Sequence, residues 1–295
     1  FIAAAQYSAL PRLCAGTSAA TDSQLRTGPA SKPLAAVTHF VGFPLKQTLM
    51  GIATWAGLAA MTLYLVASIV VVRRLRGAVT DSRRLLLVLG LSAVTAHALC
   101  LWLTIVTADG VRLGLFPMAS MVTGTGAALV AVTSLYRRIE WVSALVFPLS
   151  ALSIPPLLWA ESGYPAHPLA HGMAVHVLLS ILAYAVLAIA AAQSLLLLIQ
   201  HRQLKSGHIR GVMRVFPPIQ VMETMLFELL WAGALLLTAA MLAGFIYVDD
   251  LLAQRVAHKT VLTVLAWALF VTLLAGRHFL GWRAVTAIRL TLAGF

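Results

Sequence analysis

Long apolar runs dominate this chain of 295 residues, and about eight of them follow one another between short polar loops. Crossing the roughly 30 Å hydrocarbon core of a bilayer takes about 20 helical residues, and most of these runs are that long. A backbone in lipid must satisfy its own hydrogen bonds, so segments this apolar should be helices. Composition agrees, because 10% of residues are charged against about 25% in soluble domains. The sequence predicts an all-α, polytopic transmembrane helix bundle.

The predicted spans divide the chain into a tail and one transmembrane domain. The spans cover 48–72, 85–107, 114–135, 141–160, 172–199, 221–247, 259–276 and 285–295. The last is too short to cross a bilayer, and the charged residues beside it favour an eighth helix that is truncated. Residues 1–46, rich in Ala, Ser, Thr and Pro, predict a poorly ordered exterior tail or extension. Residues 47–295 form the predicted transmembrane domain.

The basic residues are distributed unevenly between the two sets of loops. Thirteen arginines and lysines fall in the loops of one side and three in those of the other. The positive-inside rule places the richer side in the cytoplasm, so the N-terminus and the histidine-bearing loops should face the exterior. The same distribution argues against a nucleic-acid partner despite the net charge of +12. We predict a multi-pass protein of a bacterial inner membrane whose histidines face the periplasm.

His176 stands at the exterior end of the fifth span and is the first candidate for chemistry. Ser180 and Tyr184 follow at four-residue steps, which puts all three side chains on one helix face. A neutral imidazole is a good ligand for haem iron. The alternative is an interfacial histidine that bonds a loop carbonyl, since helix ends leave backbone groups unpaired.

His258 opens the seventh span on the same side of the membrane. Two helices that each present an imidazole at this side can place them on opposite faces of one haem. Arg255 and Lys259 flank His258 and suit the haem propionates, which are carboxylates. Snorkelling of these cations to the interface is the alternative. We predict His176 and His258 as ligands of haem iron, with Arg255 and Lys259 beside the propionates.

Three further histidines carry weaker hypotheses. His97 lies inside the second span, where a buried imidazole marks either a functional site or a hydrogen bond between helices. Both interpretations stay open, and His97 is retained as a cofactor-binding candidate. His167 and His171 precede the fifth span, and with Glu161 they offer an unspecific metal site.

Motifs for hydrolytic catalysis do not appear in a supporting context, whether GxSxG, Walker A, HExxH or CxxC. Carboxylates are rare within the spans, which argues against the usual proton- or cation-coupled pathway. Of the two in the sixth span, Glu223 lies at a helix N-terminus, and Glu228 is deep enough to pair with a cation on a neighbouring helix. The sequence predicts a binding or transport protein rather than an enzyme.

The second half of the chain resembles a known family. The segments HVLLSILAY from His176, PPIQVMETMLFELLWAGALLLTAAMLAG from Pro217 and HKTVLTVLAWALFVTLLAGRHFLGWR from His258 carry the resemblance, and GLFPMASMVTG at 114–124 adds to it. They are similar to the cytochrome c assembly family of membrane proteins, the CcsA- and CcmC-type haem-handling proteins. The closest likeness is to its small eight-helix YpjD-like branch, and it covers about residues 50–295.

The resemblance implies haem as cofactor, with other cytochrome c assembly proteins and apocytochrome c as partners. His176 matches the family histidine that is thought to ligate periplasmic haem. Lys259, Trp267 and Arg277 are in register with the helix that follows the family's tryptophan-rich motif. That motif is replaced here by YVDDLLAQRVAHK, and Ala275 stands where the family has a histidine.

Two functions follow from these observations. The first is cytochrome c biogenesis, with haem bound or transported at the exterior face. The second is a haem-independent transporter subunit or accessory protein in ion or metal homeostasis, which the replaced tryptophan-rich motif favours.

Overall fold

The structure is a computed structural model that describes most of the chain. The described residues are 33–77, 83–137, 139–160, 165–205, 217–247, 257–282 and 284–294. Within these ranges, the side chains of 33–47, 140, 257–259 and 284–285 are not described.

Eight helices account for nearly all of the described residues. They are α1 (Pro33–Leu75), α2 (Arg83–Ile105), α3 (Leu115–Tyr136), α4 (Glu140–Trp159), α5 (His171–Lys205), α6 (Ile219–Tyr247), α7 (Ala257–Leu280) and α8 (Ala284–Gly294). Two short strands, β1 (Val106–Thr107) and β2 (Gly110–Val111), connect α2 to α3. Helices α1 to α7 are each long and apolar enough to cross a membrane. The prediction of an all-α, polytopic bundle is confirmed.

The first helix begins earlier than the sequence predicts. It starts at Pro33, so residues 33–46 of the predicted tail are helical, while 1–32 lie outside the described residues. Proline suits the first turn of a helix, because the N–H that it lacks would have no partner there. Among the residues of α1 whose side chains are described, Thr48–Leu75 is long and apolar enough to span a membrane, and it includes the predicted span 48–72.

Small residues let the helices approach closely. Helices α1 to α4 pack mainly on one another, α5 packs most extensively on α6, and contacts between α3 and α5 join the two groups. Fully buried alanines lie at these contacts: Ala60, Ala93, Ala127, Ala183 and Ala190. Since lipid is as apolar as the protein interior, close packing of small residues is what holds membrane helices together. One continuous core therefore runs through both groups.

The connections at the histidine-bearing end are tied to one another. The β1–β2 hairpin pairs with the α4–α5 connection, where Val111 N donates to His167 O at 3.0 Å and His167 N to Val111 O at 3.2 Å. Gly110 permits this contact, because its φ is 126° and a Cβ there would collide with the His167 carbonyl. The chain is therefore extended, not helical, at His167.

The opposite end, which we call the basic end, carries ion pairs between helices. Arg137 donates to Glu228 at 3.2 Å, so Glu228 has the partner on another helix that the sequence predicts. Arg277 pairs with Glu223 at 3.0 Å and lies 4.7 Å from the Phe227 ring centroid. Both carboxylates of α6 are thus paired with arginines at the C-terminal ends of two other helices. Arg137 directly follows α3, and Arg277 lies in the last turn of α7.

Candidate functional site

The His176 imidazole joins α5 to α6 at the histidine-bearing end. Its Nδ1 lies 2.8 Å from the carbonyl oxygen of Ala240. A carbonyl can only accept a hydrogen bond, so Nδ1 is the donor, and in a neutral imidazole the lone pair is then on Nε2. Among the described residues nothing bonds Nε2, and the side chain is half-buried. This is the tautomer in which histidine binds a metal through Nε2 while its other nitrogen donates to a carbonyl.

A glycine provides the space for this imidazole. A Cβ added at Gly244 would lie 2.9 Å from His176 Cε1 and 3.0 Å from Nδ1, closer than ordinary van der Waals contact. One turn earlier in α5, the Tyr247 ring packs against the backbone of Gly172 in the same way. The two helices are therefore in close contact around His176, and the ring lies on bare backbone.

Ser180 and Tyr184 follow His176 on α5, as the sequence predicts. The Ser180 hydroxyl donates to the carbonyl of His176 at 2.8 Å, so it bonds its own helix and not the imidazole. Tyr184 is half-buried and lies deeper in the span. Two residues of α6, Ala240 and Gly244, therefore position the ring of His176. The sequence pattern of α5 alone does not reveal them.

The second predicted ligand belongs to α7. His258 and Lys259 are in the first turn of this helix, which begins at Ala257 at the same end as His176. Their side chains, and all of Arg255, lie outside the described residues, so their roles stay predictions. Farther along α7, Trp267 Nε1 donates to Thr238 Oγ1 at 2.8 Å and fixes the helix against α6.

The other two loop histidines are separated by a change in backbone conformation. His167 is extended and paired with Val111, whereas His171 is the exposed first residue of α5. They do not share a helix face, and Glu161 lies outside the described residues. In the part of the chain that the structure describes, no three His, Cys, Asp or Glu side chains form a group that suits a metal ion.

His97 lies in a closed polar cluster within the first four helices. It is 1% exposed, with Nε2 2.8 Å from Ser120 Oγ and Nδ1 3.4 Å from the Tyr64 hydroxyl. A Cβ at Gly124 would lie 3.0 Å from His97 Cε1. Both ring nitrogens therefore face protein hydroxyls, and neither faces open space.

Hydroxyls of α3 and α4 extend this arrangement, which we call the His97 cluster: Tyr64, His97, Ser120, Thr123 and Ser153. Ser153 Oγ donates to Ser120 Oγ at 3.4 Å, and Thr123 Oγ1 donates to Ser153 Oγ at 2.8 Å. The cluster joins α1, α2, α3 and α4 through side chains alone. Its sequence signal is the recurrence of hydroxyl residues three apart in otherwise apolar spans.

Comparisons with known proteins agree on one family. The family model described as Cytochrome C assembly protein matches residues 85–295. Inner membrane protein YpjD of Escherichia coli (strain K12) is 27% identical over 215 residues, which are 72% of this chain and 81% of that protein. An uncharacterized 28.8 kDa protein of Azospirillum brasilense is 32% identical over 123 residues, 41% of this chain and 45% of that protein. No solved structure matches the chain.

Proposed function

Since this chain belongs to the cytochrome c assembly protein family, we propose that it binds haem at the histidine-bearing end of the bundle. The membrane would be a bacterial inner membrane, because seven helices are long and apolar enough to span one and the matching relative is named an inner membrane protein. The basic loops would face the cytoplasm and the haem site the periplasm. There the protein would receive or transport haem for cytochrome c biogenesis, together with other assembly proteins and apocytochrome c.

The observation that supports this proposal is the hydrogen bond and the partial exposure of the His176 imidazole. Its Nδ1 donates to the Ala240 carbonyl, so in the neutral imidazole the lone pair is on Nε2, an arrangement that orients histidine ligands in metal sites. The ring rests on Gly244 and is half-buried, so Nε2 can be approached from outside. Bound haem would supply an iron that accepts this lone pair, and the residues present fit that requirement.

His258 is the proposed second axial ligand. It belongs to the first turn of α7, at the end of the bundle where α5 also begins. Arg255 and Lys259 are proposed to pair with the propionates, which a guanidinium and an ammonium both suit. Val175 and Ile246 are exposed apolar side chains of α5 and α6 at this end of the bundle, and a flat, apolar macrocycle can cover such surface as lipid does.

His97 is assigned a structural role in this proposal. Ligation through either nitrogen would require breaking a hydrogen bond to Ser120 or Tyr64. A haem would also have to displace the α3 backbone at Gly124, which the imidazole already contacts. We therefore place the haem at His176 and treat the His97 cluster as part of the framework.

A haem titration of the purified protein in detergent tests the proposal. We expect stoichiometric uptake with a Soret band typical of histidine ligation, since a half-buried imidazole is available at His176. Size-exclusion chromatography confirms that the protein is folded in each sample. Folded protein that takes up no haem would refute the proposal. Intact cytochrome c levels with altered metal tolerance in a deletion strain would favour the haem-independent transport function.

Gly244→Ala is expected to weaken haem binding without removing the ligand. The added methyl group would lie about 3 Å from the imidazole, so the ring must turn and its bond to Ala240 must lengthen. Loss of such an orienting contact lowers the affinity of a metal site roughly 10- to 100-fold. Titration with haem measures the change. Gly51→Ala is the matched control, because a Cβ there meets nothing within 4 Å; equal effects of the two changes would contradict the prediction.

A further inference from the structure

A small cavity at the basic end is lined by polar groups that no described residue satisfies. It lies where α1 and α3 end and α2 and α4 begin, and Val71, Arg83, Ser134, Ser143 and Phe147 are among the residues that line it. It belongs neither to the His176 site, at the other end of α5, nor to the His97 cluster. The cavity is therefore a separate feature of the bundle.

Arg83 is held against the cavity by the end of α3. Its Nη2 donates to the carbonyls of Ser134 at 3.3 Å and Leu135 at 3.1 Å. These carbonyls belong to the last turn of α3 and lack partners within that helix. The Arg83 Nε is buried and finds no acceptor in the described part of the chain. A buried cationic donor without an acceptor is costly, so this N–H requires one.

Ser143 supplies a second unused donor to the same space. It belongs to the first turn of α4, is 4% exposed, and lines the cavity with Arg83. Its hydroxyl bonds no described residue, whereas Ser150, farther along α4, donates to Val146 O and to Thr123 O. The Arg83 guanidinium and the Ser143 hydroxyl thus line one cavity, and an acceptor from outside the protein can accept from such donors.

The surrounding charge favours an anion as that acceptor. Helices α2 and α4 both begin at the cavity, and the N-terminus of a helix carries partial positive charge. The exposed side chains of Arg73, Arg76 and Arg84 add formal positive charge at this end of the bundle. An anionic oxygen is the group that accepts most strongly from a guanidinium and a hydroxyl.

We propose that this cavity, the Arg83–Ser143 site, binds an oxygen of a phosphate group, with the Arg83 guanidinium and Ser143 Oγ as donors. The phosphate is the headgroup diester of an anionic phospholipid. The walls of the cavity support a lipid as the source of this phosphate, because Val71 and Phe147 place apolar surface next to the two donors. Basic pockets between transmembrane helices are typical binding sites for anionic headgroups. The proposal does not depend on haem binding.

Lipid-dependent thermal stability tests this site. The purified protein is titrated with phosphatidylglycerol, with phosphatidylcholine and with sodium phosphate at matched ionic strength, and its melting temperature is recorded. Phosphatidylglycerol should raise the melting temperature above the other two. Ser143→Ala should weaken the apparent affinity about tenfold, the effect of one hydrogen bond to a charged group. Arg83→Gln should abolish the phosphatidylglycerol effect.

Arg84→Gln is the matched control, because it removes the same charge from an exposed neighbour on α2. It should change the affinity less than about twofold, as expected for a screened surface charge. If Arg84→Gln and Ser143→Ala weaken binding equally, general surface charge explains the effect and the site is refuted. Equal stabilisation by sodium phosphate would overturn the lipid source. If Arg83→Gln fails to fold, Ser143→Ala decides between these outcomes.

Discussion

His176→Ala should abolish the haem-binding spectrum of the purified protein. The substitution removes the proposed axial ligand itself, so the loss should exceed the roughly 100-fold that follows removal of a group that only orients a ligand. The fold should survive, because the Ala240 carbonyl is part of α6 and a half-buried histidine contributes little core packing. Haem titration followed at the Soret band measures the loss, and size-exclusion chromatography checks the fold.

His171→Ala is the matched control for this change. His171 is exposed at the first residue of α5, at the same end and on the same helix as His176, and should be dispensable. His258→Ala should retain haem but convert a six-coordinate spectrum to a five-coordinate one. Unchanged haem affinity in folded His176→Ala protein would contradict the assignment of the ligand.

His97→Ala should destabilise the protein strongly and leave haem affinity per folded molecule unchanged. Truncation of a large, fully buried side chain costs about 3 kcal/mol through the cavity that it leaves. Loss of one hydrogen bond between membrane helices costs only about 0.6 kcal/mol, so the cavity dominates. The melting temperature should fall by roughly 6–12 °C, since each kcal/mol shifts it by about 2–4 °C in proteins of this size.

Two further variants separate packing from ligation at His97. Ser120→Ala removes the partner of His97 Nε2 but little volume, and should lower the melting temperature by only about 2 °C. His97→Gln keeps most of the volume and both kinds of hydrogen-bonding group, yet cannot replace an imidazole on iron. A Soret band lost in folded His97→Gln protein would place the ligand in the His97 cluster and overturn our assignment.

The positions of the helical spans were predictable because they depend on local composition. The predicted ends of α2 to α7 lie within a few residues of those in the structure, apart from the last turns of α5 and α7, since an apolar run of spanning length leaves the backbone no alternative to a helix. The start of α1 at Pro33 was not predictable in this way. Residues 33–46 mix Ala, Pro, Thr and Phe and lack the continuous apolar run on which the prediction relies.

The contacts of the candidate site depend on pairs that are distant in sequence. His176 was identifiable from its position, but its partners Ala240 and Gly244 are set by the register between α5 and α6. The two interpretations of His97 also stayed open for this reason, because Tyr64 and Ser120 reach it from other helices. The periodicity of one helix does not determine its register against a neighbouring helix.

The pairing of Val111 with His167 ties the start of α5, and so the position of His176 along the bundle, to the α2–α3 connection. The strand bond fixes the α4–α5 connection to the hairpin, and His171, four residues beyond His167, starts the helix that carries the imidazole. The start of α5 is thus held by the α2–α3 connection, which lies outside the proposed site. A change in the length of that hairpin is expected to shift the start of α5 and, with it, the imidazole of His176.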